Sequence, residues 1–159
     1  MQNETILLVE DDENEVLLLQ RACAKAQLRA DLKVVRGGPQ AIEYLGGRED
    51  YSDRTRFPLP FLVLLDLRMP GMDGFEVLRW IRAQPDLKRL LVVVLSSSDQ
   101  QCDIDKAYEL GANSYLLKPV AFEGTLSLVQ RFEAYWHEIK RTPTVVHMPR
   151  PVPAEPRAK

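Results

Sequence analysis

Residues 61–74 read FLVLLDLRMPGMDG, and no other stretch limits the choice of fold as strongly. Phe61 to Leu65 are consecutive apolar residues without polar alternation, the pattern of a strand buried on both faces of a parallel sheet. Asp66 ends the run. A carboxylate there needs a partner or water, because stripping the hydration from an unpaired ion costs several kcal/mol. Function is the best reason to keep such a charge in place. Pro70 and the Met72-Asp73-Gly74 turn then carry the backbone out of the sheet, with Asp73 able to cap a helix starting at Gly74. Asp66 is therefore expected at the mouth of a crevice.

The same pattern recurs along the chain. Ile6 to Val9 is a short apolar run stopped by Glu10, Asp11 and Asp12. Asp12 and Glu15 have capping-box spacing, and Val16, Leu19, Cys23 and Ala26 form one helical stripe, so a helix is expected over about residues 13–27. Asp12 on its own is equally well read as a cap. Leu32 to Val35 makes a second strand, and Gly37-Gly38-Pro39 leads into a helix ending at Gly46-Gly47. Residues 47–60, charged and turn-prone, read as an extended surface loop.

Beyond the central strand, Phe75, Val77, Leu78 and Ile81 continue the helix from Gly74 until Gln84-Pro85-Asp86. Leu90 to Leu95 is a fourth buried strand. It gives way to Ser96-Ser97-Ser98-Asp99, which offers an N-cap for a helix through Leu110, with Gly111 as its stop. Ser114 to Leu117 is the fifth strand, Lys118-Pro119 ends it, and a long helix is expected from about Phe122 to Arg141. Pro143 to Lys159 holds five of the eleven prolines and reads as an arm or disordered tail. The expected organisation is one domain over residues 1–141 and a Pro-rich end over 142–159.

Strands alternating with helices imply an α/β fold, a doubly wound five-stranded parallel sheet with helices on both faces. The order 2-1-3-4-5 fits best, because it makes the first and third strands neighbours at the topological switch point, where ligands bind beyond the strand ends. Glu10, Asp11 and Asp66 would meet there. Ser96 and Lys118, at the ends of the fourth and fifth strands, would add a hydroxyl and an ammonium to the same rim.

Composition excludes several classes. With 21 Lys and Arg against 23 Asp and Glu, net charge −2, the chain does not suit binding nucleic acid through phosphate contacts alone. Cys23 and Cys102 fall in helical patterns without CxxC or His pairing, which favours a reduced, cytoplasmic chain with both as packing residues. His137 and His147 lack ligand spacing and read as surface residues. A polar start running directly into a strand leaves no room for a signal peptide, and no apolar run approaches the roughly 18 residues of a membrane span. The expectation is a soluble protein with neither a nucleic-acid nor a membrane partner.

Three clustered carboxylates repel one another, and a hard divalent cation is the simplest means of holding them together. Mg2+ is the expected ion, since its octahedral shell at about 2.0–2.1 Å leaves places for waters and a phosphoryl oxygen. Lys118 supplies further positive charge. Asp66 is then placed to attack phosphorus and form an aspartyl-phosphate, which the Ser96 hydroxyl can sense.

Glu10 to Asp12 alone would suit a solvated helix start, and Ser96 to Ser98 alone a loop. Taken together, LLVEDD, LLDLRMPGMDG, VVVLSS and NSYLLKP, with Ser96 and Lys118 following Asp66 by 30 and 52 residues, resemble the receiver domains of two-component response regulators over roughly residues 4–141. The resemblance implies that Asp66 is the phosphoacceptor and that Glu10, Asp11, Asp66 and the Arg68 backbone carbonyl hold Mg2+. It likewise makes Ser96 and Tyr115 the switch residues and Lys118 the phosphate contact, with a cis Lys118-Pro119 peptide and with Arg68 and Ser98 as modulating residues. The loop at 47–60, Pro85-Asp86-Leu87 and the long last helix are similar to stand-alone regulators paired with phytochrome-type histidine kinases, so a sensor histidine kinase, a bacteriophytochrome within that class, is the implied partner.

Phosphatases that form aspartyl-phosphate resemble a DxD pattern whose second Asp is the acid-base. Arg68 stands at that position and cannot serve as a general base, so a signalling phosphoacceptor rather than an enzyme is expected. A receiver-fold binding module that works without phosphorylation is the alternative. The signal is expected to leave by protein contact or self-association. For the latter, Val129, Phe132, Trp136 and Ile139 form one stripe of the last helix and Leu128 and Tyr135 a second, which implies a homodimer, or else a stripe covered by the tail. Arg68 is expected either to pair with Glu10 or Asp66 and, after phosphorylation, to slow hydrolysis, or simply to point into solvent as long charged side chains at loop mouths do.

Overall fold

A computed structural model describes residues 4–136. In chain order the elements are β1 (Thr5–Val9), α1 (Glu13–Lys25), β2 (Asp31–Val35), α2 (Gly38–Gly46), β3 (Leu62–Leu65), α3 (Gly74–Ala83), β4 (Leu91–Ser96), α4 (Gln101–Glu109), β5 (Ser114–Leu117) and α5 (Phe122–Ala134). The sheet has the order β2-β1-β3-β4-β5 with every pairing parallel, as expected for the doubly wound arrangement. Its register pairs Val9 with Leu65 and Leu65 with Val94, so the ends of β1, β3 and β4 lie level. Glu10 and Asp66 leave the sheet side by side for that reason.

Alternating residues of the central strands feed two cores, because successive side chains of a strand point to opposite faces. Leu7, Val9, Val63, Leu65, Val92 and Val94 pack with Tyr44, Val77, Leu78 and Ile81 of α2 and α3. On the opposite face, Leu8 meets Val16 and Leu19 of α1 and Val129 of α5, while Ile6, Leu62 and Val93 cluster with Trp136.

The helix ends follow local chemistry. Asp12 caps α1 by accepting from the amides of Asn14 and Glu15, and α1 stops at Lys25 rather than near residue 27, where Gln27 takes a positive φ of 55°. Asp73 and Glu76 form a reciprocal capping box on α3. The expected cap of α4 at Ser98-Asp99 is not formed: Gln100 is the N-cap and contributes no side-chain bond, while the Ser98 hydroxyl donates to Asp103 and accepts from the Gln100 amide.

Three other expectations are corrected. Residues 47–60 are not simply extended but fold back on α2, with Tyr51 and Phe57 packed around Tyr44, and Arg54 donating to the carbonyls of Tyr44, Leu45 and Phe57. Two of those carbonyls, of Tyr44 and Leu45, lie in the last turn of α2, where the backbone runs out of intrahelical donors. Lys118-Pro119 is trans, the isomer that a proline peptide favours by about 0.5–1 kcal/mol without a tertiary constraint. Cys102 is exposed, pointing away from the buried face of α4, whereas Cys23 does pack, and burial pushes its thiol up to about 11. The last helix beyond Trp136, Ile139, His137, His147 and the Pro-rich tail lie outside the described residues.

Gly74 locks α3 against the end of β3. A Cβ there would lie 2.2 Å from the Asp66 carbonyl oxygen and 2.8 Å from Leu67 Cα. Backbone cannot yield as a flexible side chain does, so Gly74→Ala is expected to destabilise the fold by about 1–3 kcal/mol, read as a lower urea midpoint at unchanged slope. An unchanged midpoint would mean that α3 can lift from the strand without cost.

Candidate functional site

Glu10 and Asp66 follow directly from β1 and β3 and are 3% and 5% exposed, although both carry carboxylates. Asp11 beside them reaches solvent, and oxygens of all three acids lie within 4.8 Å of one another. Their backbone is fixed from both sides: the Asp66 amide donates to the Val9 carbonyl, and the Glu10 amide to that of Val35. Sheet hydrogen bonding thus holds the acids together despite their repulsion. This arrangement of hard oxygen donors fits a divalent cation, with the partly exposed Asp11 giving it an approach from water.

Lys118 answers the buried charge. Its Nζ lies 2.6 Å from Glu10 Oε2 and 3.4 Å from Asp66 Oδ1, with its side chain only 14% exposed. The Lys118 amide donates to the Ser96 carbonyl, which anchors the residue beside the end of β4. Burial raises the Asp66 carboxyl above its ordinary value, and the Lys118 charge opposes that rise without cancelling it. Glu10 behaves alike: burial raises it, the Lys118 hydrogen bond pulls down, and the Asp66 charge raises it further. Burial alone would lower the Lys118 ammonium, but the Glu10 hydrogen bond and the charges of Asp66 and Glu10 outweigh it, and the net shift is upward. A lysine held charged between two acids is the result.

Ser96 is fully buried at the end of β4, and its Oγ accepts from the Ser98 amide at 3.1 Å. Tyr115 is half-buried on β5, with its hydroxyl donating to the Ser98 carbonyl at 2.8 Å. Both residues implied as switches therefore meet at Ser98. Arg68 departs from expectation. Its amide supports the Asp66 carboxylate, but its guanidinium pairs with neither Glu10 nor Asp66 and instead donates to Asp103 Oδ2 at 2.5 Å. Nothing in the sequence marks Asp103, since an acid in the first turn of a helix is ordinary. Only its burial, at 9% exposure, marks it out.

The model of the response regulator receiver domain matches residues 6–130. The chain belongs to that family. It is a signalling phosphoacceptor of the two-component type rather than an enzyme acting on a substrate. The response regulator Rcp1 of Synechocystis sp. is 37% identical over 140 residues, which cover 88% of this chain and 93% of that protein. The crystal structure of a phosphorylated cyanobacterial phytochrome response regulator, RcpA, matches with a TM-score of 0.81 at 35% identity, covering 89% of this chain and 99% of RcpA. The Mn2+-bound form of Rcp1 matches with a TM-score of 0.78 at 37% identity, covering 89% and 99%. Among the described residues, no helix is long and apolar enough to cross a membrane.

The upward shift of Asp66 carries a sign for stability. A carboxyl whose proton is held more tightly in the fold than in the unfolded chain supports folding at low pH, and that support is lost as pH rises through its raised value. At neutral pH the Asp66 charge therefore opposes folding. Asp66→Asn removes it while leaving Lys118 on Glu10, so in chelator the variant is expected to be more stable by about 1–2 kcal/mol at pH 7, with the gain shrinking as pH falls into the carboxylate range. Urea titrations at pH 7 and pH 4.5 test this, and a variant less stable than wild type at pH 7 would refute it.

Proposed function

We propose that the chain takes a phosphoryl group from a sensor histidine kinase of the bacteriophytochrome class onto Asp66 and signals by a conformational switch read through protein contact. The observation that carries this reading is the Asp66 carboxylate, buried beside Glu10 and Asp11 and 3.4 Å from the Lys118 ammonium. An Asp66 oxygen forms its bond to phosphorus as the phosphorus–nitrogen bond of the kinase phosphohistidine breaks, and the electron pair stays on the imidazole nitrogen. Glu10, Asp11, Asp66 and the Arg68 carbonyl would hold Mg2+, which would supply positive charge to neutralise that on the phosphoryl oxygens. Lys118 moves onto the phosphoryl group, Ser96 donates its hydroxyl to it, and Tyr115 follows Ser98. The pairing with a phytochrome kinase rests on likeness to the phytochrome response regulator RcpA, and the site chemistry allows slow self-catalysed transfer from small donors. These roles fit a protein working in the cytoplasm.

Phosphorylation is expected to need both Asp66 and a divalent cation, because nucleophile and charge neutralisation are each required. With acetyl phosphate as donor, intact mass should show one added phosphoryl group on wild type with Mg2+, and none on Asp66→Asn or in chelator. Lys118→Ala should still accept the group but lose most of the accompanying change at Tyr115. Equal labelling of Asp66→Asn would overturn the assignment.

The same reading extends to self-association through the last helix. Val129 and Trp136 are spent on the core, whereas Tyr135, Leu117 and Val120 remain 47%, 52% and 104% exposed around the β5–α5 edge. A second copy covering this edge removes that apolar surface from water. Sedimentation of the full chain at tens of micromolar, about the range for modest interfaces, is expected to give a dimer, and Tyr135→Glu a monomer. A monomeric wild type both with and without the phosphoryl group would rule the dimer out.

A further inference from the structure

We propose that Asp103, on α4, is a positioning residue for the phosphoryl site: it parks the Arg68 guanidinium beside Ser98 while Asp66 is unmodified, and yields it when a phosphoryl group on Asp66 competes for the same cation. The inference rests on Asp66 being the acceptor. Three observations carry it.

The first is that a single oxygen does two jobs. Asp103 Oδ2 accepts from Arg68 Nη2 at 2.5 Å and from Ser98 Oγ at 2.6 Å, and so joins the loop after β3, the loop after β4 and the first turn of α4. Ser98 in turn donates its amide to Ser96 and accepts from Tyr115 through its carbonyl. A tie between Arg68 and Asp103 therefore fixes the residue on which both switch side chains rest.

The second is the unequal exposure of the pair. The Arg68 side chain is 64% exposed and that of Asp103 only 12%. An ion pair with one partner largely in water is weak and readily exchanged. Arg68 stands two residues from the acceptor, and a phosphoryl group offers a guanidinium more charge and more acceptor oxygens than one carboxylate does. Release then leaves a largely buried carboxylate with the Ser98 hydroxyl as its remaining hydrogen-bond donor and only the more distant charge of Lys106 to balance it. Relief comes from turning the first turn of α4 toward solvent.

The third is how loosely α4 is held. Asp103 and Ala107 are its only buried residues, and its N-terminus has no side-chain cap. The ammonium of Lys106 over the Phe75 ring, at 4.2 Å, ties the helix to α3 further along. Motion is thus confined to residues 98–103, the segment that carries Ser98.

Amide hydrogen exchange of residues 98–103 in the full chain tests this, with phosphoryl occupancy followed by intact mass under acetyl phosphate and Mg2+. Wild type is expected to exchange about fivefold faster there once phosphorylated. Asp103→Asn and Arg68→Gln should be fast already when unmodified and change by less than about twofold on phosphorylation at equal occupancy. Should Asp103→Asn fail to fold, Arg68→Gln carries the test, since that side chain is mostly in water. An acceleration as large in the variants as in wild type, or none in fully phosphorylated wild type, would overturn the latch. Failure of the acceptor reading is distinct: it appears as wild type that gains no phosphoryl mass, and the latch falls with it.

Discussion

The Lys118 ammonium, held between Glu10 and Asp66, is the interaction on which the functional end of the sheet depends. Two nearly buried carboxylates a few ångströms apart would each be expensive in a low-dielectric setting, and the hydrogen bonds of β1 and β3 hold their backbones with no freedom to separate. One ammonium on the far side of β4 shares its charge between them. The intervening strand ends in the small, fully buried Ser96, whose carbonyl accepts from the Lys118 amide and so sets the lysine level with the acids. Strand order, a small residue on β4 and a long cation on β5 therefore form one requirement.

Compensation is incomplete, and the shortfall has chemical value. One positive charge faces three carboxylates, so the cluster keeps a net negative charge and an affinity for a hard cation. Burial continues to lift Asp66 and Glu10 despite the lysine, so each of these two carboxylates carries its charge at a cost to the fold. Such groups persist where function selects them and the surrounding core supplies the stability. Here that core is the double layer around β1 and β3, whose runs are buried almost throughout.

What was legible in the sequence follows from this arrangement. A strand covered on both faces must be apolar at consecutive positions, so the runs before Glu10 and Asp66 announced themselves, and charges that end such runs mark the catalytic edge of the sheet. Contacts made by long side chains were not legible. Arg68 had two acids to choose from in the sequence argument, Glu10 and Asp66, yet both are engaged by Lys118, and the guanidinium takes Asp103, 35 residues away. Arg54 in the loop after α2 is a similar case: its charge suggested solvent, but its planar array of donors matches the carbonyls at the end of α2. Neither periodicity nor composition records which distant acceptor a flexible cation will find. Pro119 differs again, since both isomers satisfy the same local sequence and the choice falls to tertiary contacts.

The two halves of the molecule differ in how they are held, and the division matches their tasks. α3 buries Gly74, Phe75, Val77, Leu78 and Ile81, with a capping box at its start, whereas α4 buries Asp103 and Ala107 alone. β1 is buried at every position, but no residue of β5 is. Apolar packing is non-directional and resists small charge changes, while a helix held largely by polar contacts can be rebalanced by one added charge. Asp66 thus sits on the rigid half, where the geometry of the proposed acceptor would be fixed to the accuracy that phosphoryl transfer needs. Ser98, Asp103 and Tyr115, the residues proposed to respond to it, sit on the half that one added phosphoryl group would have enough charge to move.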